Sequence, residues 1–374
     1  MTTHTEQRPE RVYSLDVLRG LAALSVVFWH WQHFFYSGGN SSDFQTERQP
    51  FFEELSFLYQ HGVLAVEMFF CISGFVFFWL FANSISTRMM SPGQFFIERF
   101  SRIYPLHLST FLLVAMLQFG YGQNHSSYFV YQANDAYHAL LNVLLIPAWG
   151  LENDWSFNAP VWSISIEVLL YGVFFLMCLT GRLRYWLIPC LVALGAYLYP
   201  SIYKLGTGLF CFFCGGIAYI VLDKTIDILG RKPTAWLTSL LALASWFYIS
   251  PSPSVDILYV IGINFPVTVM AVAALGLAIR NFLKPLSAIG DMSYSSYLIH
   301  FPLQIVFALA VDLLGYSREV FYSPWMLILF LTILLPLSFA SHRLFEMPVQ
   351  RWIRRKWCGC QVNPSDKVAM PTRL

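Results

Sequence analysis

Charged residues are scarce in this sequence of 374 residues: Asp, Glu, Lys and Arg make up 12%, whereas apolar residues make up 57%. A typical soluble domain has about 25% charged and roughly 45–50% apolar residues. Together with a mean hydropathy of +0.55, this excludes a water-soluble globular fold and a disordered chain, because too little polar surface is present to cover the apolar mass. The net charge of +2 gives no basic field for nucleic acid. The composition therefore indicates a polytopic membrane protein.

A cysteine framework, an internal repeat and a signal peptide are also missing. Of the seven cysteines, Cys211-x-x-Cys214 lies within an apolar segment and Cys358-Gly-Cys360 near the C-terminus, without the further ligands that a zinc site requires. We therefore expect no metal site. The first apolar segment contains Asp16, which a signal peptide would not carry in its hydrophobic region.

Long apolar segments dominate the chain instead. A helix needs about 20 mostly apolar residues to cross the hydrocarbon core. Ten segments meet or approach this length: 15–36, 61–83, 104–121, 161–180, 183–201, 206–222, 234–250, 257–279, 295–315 and 325–345. The stretch 136–150 is too short to span, and we expect it to be re-entrant or to lie on the surface. The predicted fold is an all-α polytopic bundle of about ten transmembrane helices.

The distribution of lysine and arginine predicts the orientation. In the ten-span topology, the loops on one side carry only Arg48, Lys204 and Arg318. The other side carries Arg8, Arg11, Arg88, Arg99, Arg102, Arg182, Arg184, Lys224, Arg231, Lys232, Arg280, Lys284, Arg351, Arg354, Arg355, Lys356, Lys367 and Arg373. Positive residues accumulate in the cytoplasm, so both termini are predicted there. This gives a cytoplasmic N-terminus (1–13), a membrane domain (14–355) and a cytoplasmic tail (356–374) of a multi-pass protein in the cell inner membrane.

The first span carries three ionisable residues, which are costly at membrane depth and therefore suggest function. Arg19 and His30 are eleven residues apart, which at about 100° per residue places them within roughly 20° on one helical face, about 16 Å apart along the axis. Asp16 lies within about 40° of the same stripe. The alternatives are an Arg19 side chain that extends to the interface and a His30 ring satisfied by a backbone carbonyl.

Two carboxylates are predicted at about the depth of His30. Glu67 and Glu167 each lie six residues inside the outer end of a span, as does His30. A carboxylate that binds one imidazole nitrogen fixes the tautomer and raises the basicity of the other nitrogen, as a general base requires. The sequence does not decide which carboxylate would pair with His30.

Further candidates lie toward the cytoplasmic side. Arg99 and Arg102 are spaced i, i+3, which would place both on one helical face suited to phosphates, although positive-inside anchoring would also explain them. Ser73 and Gly74 interrupt the second span and would either permit close helix packing or line a cavity. His300 lies near the inner end of the ninth span, where it would cap a helix or belong to a donor site.

These residues fall into motifs that occur in a fixed order: Leu15-Asp16-x-x-Arg19-Gly20 with the later His30, Phe69-Phe70-x-Ile72-Ser73-Gly74-Phe75, Arg99-x-x-Arg102-Ile103-x-Pro105, Trp162-Ser163-x-x-x-Glu167 and Tyr294-x-x-Tyr297-Leu298-x-His300. Together they resemble acyltransferase family 3, the integral-membrane O-acyltransferases that modify bacterial glycans and some small molecules. The resemblance covers about residues 12 to 355. At Glu67 the family often has Asp, which keeps the carboxylate.

The resemblance implies an acyl-CoA donor, most often acetyl-CoA, that binds from the cytoplasm without a metal. Its phosphates would lie near Arg99, Arg102 and Arg19, and its pantetheine arm would pass Ser73 and Gly74, with His300 also assigned to the donor site. His30, with Glu167 and Glu67, would activate an acceptor hydroxyl as a general base or would carry the acyl group itself.

The implied acceptor is an envelope glycan or lipid-linked sugar such as O-antigen or exopolysaccharide. Partners would be the acyl-CoA, this acceptor and membrane lipids, with no nucleic acid; a homo-oligomer, a succinyl donor and a small secondary metabolite as acceptor are left open. The competing hypothesis is a proton-coupled secondary transporter, because buried His and Glu also suit a proton relay. The lack of an internal repeat, which many transporters have, speaks against it.

Overall fold

A computed structural model describes residues 11–37, 40–41, 44–249, 255–279 and 281–358. Four of the residues that predict the orientation lie outside the described residues: Arg8, Arg280, Lys367 and Arg373. The same holds for Cys360 and for most of the predicted terminal segments 1–13 and 356–374.

The described chain is almost entirely helical, as its composition predicts. Its α-helices, in chain order, are α1 (Tyr13–Trp29), α2 (Phe52–His61), α3 (Ala65–Leu80), α4 (Ala82–Ser86), α5 (Pro92–Asn124), α6 (Ala136–Val143), α7 (Trp162–Leu179), α8 (Arg184–Leu198), α9 (Tyr203–Leu229), α10 (Arg231–Ile249), α11 (Ile257–Tyr259), α12 (Phe265–Ala278), α13 (Ser287–Asp291), α14 (Ser293–Leu313), α15 (Pro324–Ala340) and α16 (Met347–Cys358). Short 3-10 segments follow α1 (His30–Phe35) and precede α7 (Ala159–Val161). Two short strands, β1 (Tyr36–Ser37) and β2 (Asn40–Ser41), pair antiparallel just beyond the first of these.

Seven helical stretches of the described chain are long and apolar enough to cross a membrane. They are Phe52–Leu80, Pro92–Asn124, Ala159–Leu179, Tyr203–Leu229, Ile257–Ala278, Ser293–Leu313 and Pro324–Trp357. The other three predicted spans correspond to α1 and α8, which have 17 and 15 residues, and to α10, which is less apolar. An all-α polytopic membrane protein is thereby confirmed, while the count of ten and the cytoplasmic termini stay predictions.

Helix α5 begins well before the predicted third span. It runs through Pro105, so that the segment with Arg99 and Arg102 belongs to the same 33-residue helix as the span itself. The apolar stretch 136–150 forms the eight-residue helix α6, which is too short to cross a membrane. The Tyr104 hydroxyl donates a hydrogen bond to the Val143 carbonyl and so holds α6 against α5.

Helices α1 and α14 run side by side in the same direction, and this pairing positions the site. Near the start of both helices, the Arg19 guanidinium donates to the Ser293 hydroxyl (2.9 Å). Eleven residues beyond Arg19 and eleven beyond Ser293, the Gln304 amide donates to the His30 carbonyl (2.8 Å). The His30 ring also lies beside the His300 ring of α14, with centroids 4.9 Å apart, so the Arg19 and His30 side chains face the same neighbouring helix, as their spacing predicts.

Helices α3 and α9 approach each other closely because glycines lie at their crossing. A Cβ atom at Gly74 would lie 1.8 Å from the Phe212 carbonyl oxygen, and one at Gly215 would lie 2.0 Å from the Cys71 carbonyl oxygen. Backbone atoms cannot yield as a flexible side chain can, so only glycine fits at these two positions. Small residues at a crossing allow the dense packing that holds membrane helices together.

The substitution Gly74→Ala is therefore expected to destabilise the protein by about 1–3 kcal/mol, the usual cost of overpacking a well-packed interior. The measurement is the apparent melting temperature of the detergent-purified protein. Gly172→Ala in α7 is the matched control, because a Cβ atom there meets nothing within 4 Å. Equal melting temperatures for the two variants would contradict the close crossing of α3 and α9.

Candidate active site

A first cavity lies between α1, α3, α5, α7 and α14, and we call it the arginine cavity. It has a volume of about 100 Å³. Its polar lining residues are Arg19, Ser73, Arg99, Arg102, Ser163, Glu167, Tyr171, Ser293, Tyr294 and Tyr297. Arg99 and Arg102 both contribute to it, so the one-face arrangement predicted by their spacing is present.

Arg99 is the residue of this cavity with the greatest unmet bonding capacity. Its side chain is only 3% exposed, and its Nε and Nη2 atoms have no hydrogen-bond partner. The guanidinium carbon instead lies over the rings of Phe77 and Phe81, 5.5 and 4.8 Å from their centroids. Burying a guanidinium without partners for its donors is costly, so this arrangement indicates a site that an anion completes.

Arg19 is held more firmly than Arg99. Besides its bond to Ser293, Arg19 donates to the Gly290 carbonyl (2.8 Å) and lies 3.9 Å from the Asp16 carboxylate. Asp16 itself accepts from Arg11 (2.5 Å), which also reaches Asp291 (2.6 Å). Arg11 therefore links the start of α1 to α13 through Asp16 and Asp291, and Asp16 also lies beside the Arg19 guanidinium.

Glu167 belongs to the arginine cavity and joins two of its helices. The Ser73 hydroxyl of α3 donates to Glu167 of α7 at 3.1 Å, and Tyr171, one turn further along α7, also hydrogen-bonds the carboxylate. This carboxylate lies in a cavity that also contains three arginines, so it balances part of their positive charge.

A second cavity, of about 410 Å³, is larger, and we call it the histidine cavity. Aromatic side chains, with the two imidazoles, make up about half of its lining. The polar and aromatic residues that line it are Trp29, His30, His33, Tyr36, Tyr131, Gln132, Asp154, Trp155, Trp162, Tyr203 and Tyr297. Tyr297 of α14 thus lines both cavities.

His30 begins the 3-10 segment that follows α1, and its ring is held by the backbone. Its Nδ1 atom lies 2.9 Å from the Val26 carbonyl oxygen. A carbonyl only accepts, so Nδ1 carries the proton and Nε2 of the neutral ring keeps a lone pair, as a proton acceptor must. The His33 and His300 rings lie beside it, with centroids 4.6 and 4.9 Å away.

His33 has a polar environment of its own within the histidine cavity. Its Nδ1 atom lies 3.2 Å from the Gln304 side-chain oxygen, and its Nε2 atom lies 3.5 Å from the Tyr131 hydroxyl. Burial raises the pKa of Tyr131 well above its ordinary value, so the phenol keeps its proton and can donate a hydrogen bond to the His33 Nε2 atom. Since Gln304 also donates to the His30 carbonyl, one amide holds the backbone of one histidine and the ring of the other.

Comparison with known proteins assigns this arrangement to a family. The family model of acyltransferase family 3, described as an acyltransferase domain, matches residues 12–342. The chain belongs to acyltransferase family 3. The resemblance carried by the sequence motifs, and with it the prediction of an acyltransferase domain, is confirmed.

Two curated relatives of this family 3 chain are similar over part of their length. One is "Acyltransferase MdmB" from Streptomyces mycarofaciens, 30% identical over 176 residues, which are 45% of this chain and 39% of the relative. Another is "Protein 2 in picA locus" from Rhizobium radiobacter, 32% identical over 111 residues, which are 30% of this chain and 48% of the relative. The matches thus span less than half of either relative. No solved structure matches the chain.

In this family 3 chain, neither predicted carboxylate contacts His30 among the described residues. Glu167 lies in the arginine cavity, as described above. Glu67 points to α9, where it accepts from the Tyr203 hydroxyl (2.5 Å) and lies 3.5 Å from the Thr207 hydroxyl. Similar depth in three helices therefore did not bring the three side chains together, because each helix turns a different face to its neighbours.

Two of the residues assigned to the donor site also lie elsewhere. His300 does not line the arginine cavity; it is fully buried beside His30, with Nδ1 2.7 Å from the Tyr297 carbonyl oxygen and Nε2 without a partner. Gly74 packs against Phe212 rather than lining a cavity. Of the pair in the second span, only Ser73 reaches the arginine cavity.

Two features of the site were not predicted from the sequence: His33 beside His30, and Tyr297 in the lining of both cavities. The i, i+3 spacing of His30 and His33 was a usable signal, because one helical turn places such residues on the same side. Tyr297 was visible only as a motif position, since nothing in a sequence shows that one ring borders two cavities.

Proposed function

We propose that this protein transfers an acyl group, most simply acetyl, from cytoplasmic acyl-CoA to a hydroxyl of an envelope glycan or lipid-linked sugar at the inner membrane. The observation that carries the proposal is the meeting of the two cavities at Tyr297. One cavity offers cationic groups for the donor, and the other offers His30 with its Nε2 lone pair for the acceptor.

The arginine cavity suits the donor because acyl-CoA is an anion with several phosphates. Arg99 has two guanidinium nitrogens without partners, and Arg102 lines the same wall one turn further along α5. Guanidinium groups bind phosphate oxygens through paired, charge-assisted hydrogen bonds. With the phosphates at this end, the pantetheine arm would extend along α14 from Ser293 toward Tyr297.

In the proposed reaction His30 acts as the general base. Its Nε2 atom takes the proton of the acceptor hydroxyl while the hydroxyl oxygen forms a bond to the thioester carbonyl carbon. The carbon–sulfur bond then breaks, and the leaving thiolate receives a proton from the imidazolium. The His33 and His300 rings lie beside His30, which becomes charged in this step. They occupy the place where the sequence predicted a carboxylate, Glu67 or Glu167. Transfer through an acylated His30 is the alternative route.

The histidine cavity suits a sugar acceptor. Trp155, Trp162 and Tyr131 provide broad ring surfaces, while Asp154 and Gln132 provide hydrogen-bonding groups beside them. Binding sites commonly combine aromatic walls with a few placed polar groups that fix orientation. Lys204 lies 3.6 Å from the Trp155 ring centroid and pairs with Glu152, so a charged pair also borders this region. A small hydroxylated secondary metabolite would meet the same surface.

The test is incubation of purified protein with radiolabelled acetyl-CoA and a panel of envelope glycans and small hydroxylated acceptors. We expect acceptor-dependent transfer of label with release of one free CoA thiol for each acyl group transferred. Absence of both transfer and CoA release with acetyl-CoA and succinyl-CoA would contradict the proposal. Proton-coupled flux in proteoliposomes would then be the result that favours the transporter hypothesis.

A further inference from the structure

Three helices line both cavities, and on each of them the residues that line one cavity are followed directly by residues that line the other. On α3, Val66 lines the histidine cavity and Phe69, one turn further, lines the arginine cavity. On α7, Trp162 lines the histidine cavity and the adjacent Ser163 lines the arginine cavity. On α14, Tyr297 borders both cavities. The boundary between the cavities is therefore a single layer, and Tyr297 is the residue common to its two sides.

The Tyr297 ring is fixed in that layer. The side chain is 5% exposed, and its hydroxyl donates to the Pro160 carbonyl oxygen at 2.6 Å. The Ser163 hydroxyl lies 2.8 Å from the same phenol oxygen, and the ring meets Phe69 edge to face with centroids 5.9 Å apart. Both ends of the side chain are thus held, one by hydrogen bonds to the start of α7 and the other by its own helix.

We propose that Tyr297 is the partition that makes the acyl group go to the acceptor hydroxyl and not to water. This inference rests on the proposed function. In the resting protein the ring separates the thioester in the arginine cavity from water in the larger histidine cavity. In this proposal an acceptor that occupies the histidine cavity displaces the ring against its hydrogen bonds to Pro160 and Ser163, whereas water does not. Tyr297 thereby determines specificity for an alcohol over water without reacting itself.

The reaction that the partition suppresses is simple hydrolysis. Water would form a carbon–oxygen bond to the thioester carbonyl, the carbon–sulfur bond would break, and the proton of the water would pass to the CoA thiolate. His30 would accept a proton from water as readily as from a sugar hydroxyl, so the base alone gives no discrimination. Excluding water from a reactive group is a recognised function of a closed site.

The experiment measures acceptor-independent release of CoA thiol from acetyl-CoA, and oxygen-18 incorporation from labelled water into the acetate. In Tyr297→Ala we expect the ratio of hydrolysis to transfer to rise about tenfold or more, because water enters the opened layer. Tyr297→Leu, which keeps an apolar helix-forming side chain, is expected to raise the ratio less. Tyr297→Phe keeps the ring but loses the hydrogen bonds of the hydroxyl, and it is expected to raise the ratio less than Tyr297→Ala does.

Tyr59→Ala is the matched control. Tyr59 is also a buried tyrosine (4% exposed) whose hydroxyl donates to a proline carbonyl, that of Pro50, at 2.9 Å. It lines neither cavity, so its loss is expected to leave the ratio unchanged. Should Tyr297→Ala fail to fold, Tyr297→Leu carries the test.

The outcomes separate this inference from the proposed function. Wild-type transfer with an unchanged ratio in both Tyr297→Ala and Tyr297→Leu would overturn the partition and leave the function standing. An equal rise in Tyr59→Ala would also overturn it, since general loosening would then be the cause. Wild-type protein that neither transfers nor hydrolyses the acyl group would overturn both.

Discussion

His30→Ala is expected to lower the rate of acyl transfer by about 10²–10⁴-fold, the usual contribution of a positioned general base. The Michaelis constant for acyl-CoA is expected to stay nearly unchanged, because His30 lines the histidine cavity and the donor phosphates are assigned to the arginine cavity. The measurement is kcat and KM for radiolabelled acetyl-CoA at a saturating acceptor concentration.

The matched control for this variant is His125→Ala. His125 is a partly exposed histidine that pairs with Asp312 at 3.1 Å and stacks on Tyr121, and it lines neither cavity. Its replacement is expected to leave kcat within about twofold, as for substitutions outside the reacting groups. Transfer by His30→Ala at a rate close to wild type would refute both the base and the acyl-histidine route.

Arg99→Ala is expected to raise the apparent KM for acyl-CoA by roughly 10- to 100-fold, since hydrogen bonds to charged groups contribute about 1.5–3 kcal/mol. The cause is the loss of a buried guanidinium whose Nε and Nη2 atoms have no partner in the protein. kcat at saturating donor is expected to change much less. Measurement of both constants separates donor binding from chemistry.

Stability gives a second readout for Arg99. A buried charge without full pairing costs folding free energy, so Arg99→Ala is not expected to lower the melting temperature of the unliganded protein. The rise in melting temperature caused by CoA, in contrast, is expected to be lost. Arg182→Ala, at an exposed position, is the control. An unchanged donor KM in Arg99→Ala would mean that Arg99 only anchors the helix.

Relations between residues within one helix were predicted correctly from their spacing. The spacing of Arg99 and Arg102 predicted one face, and the structure places both in one cavity. The eleven-residue spacing of Arg19 and His30 predicted a common stripe, and both side chains meet α14, Arg19 at Ser293 and His30 at His300. Such predictions succeed because residues within one helix are related by a fixed rotation and rise.

The predictions that joined different helices were less successful. Glu67 and Glu167 were placed near His30 from their depth, yet Glu67 bonds to Tyr203 on α9 and Glu167 to Ser73 on α3. The depth of a residue is its distance from the end of the span. It does not say how the helix is rotated about its axis, and this rotation decides which neighbour a side chain faces. The rotation of α3 is set instead by its close contact with α9 at Gly74.

The sequence by itself determined the membrane-embedded helical class, the family and the faces on which Arg19, His30, Arg99 and Arg102 lie, because composition and helical periodicity are properties of contiguous residues. The tertiary structure alone decided that Glu67 faces α9, that His33 and His300 lie beside His30, and that Tyr297 borders two cavities. These relations depend on how helices distant in sequence rotate and pack against one another. That packing follows from close backbone contacts at a few small residues, which no single helix reveals.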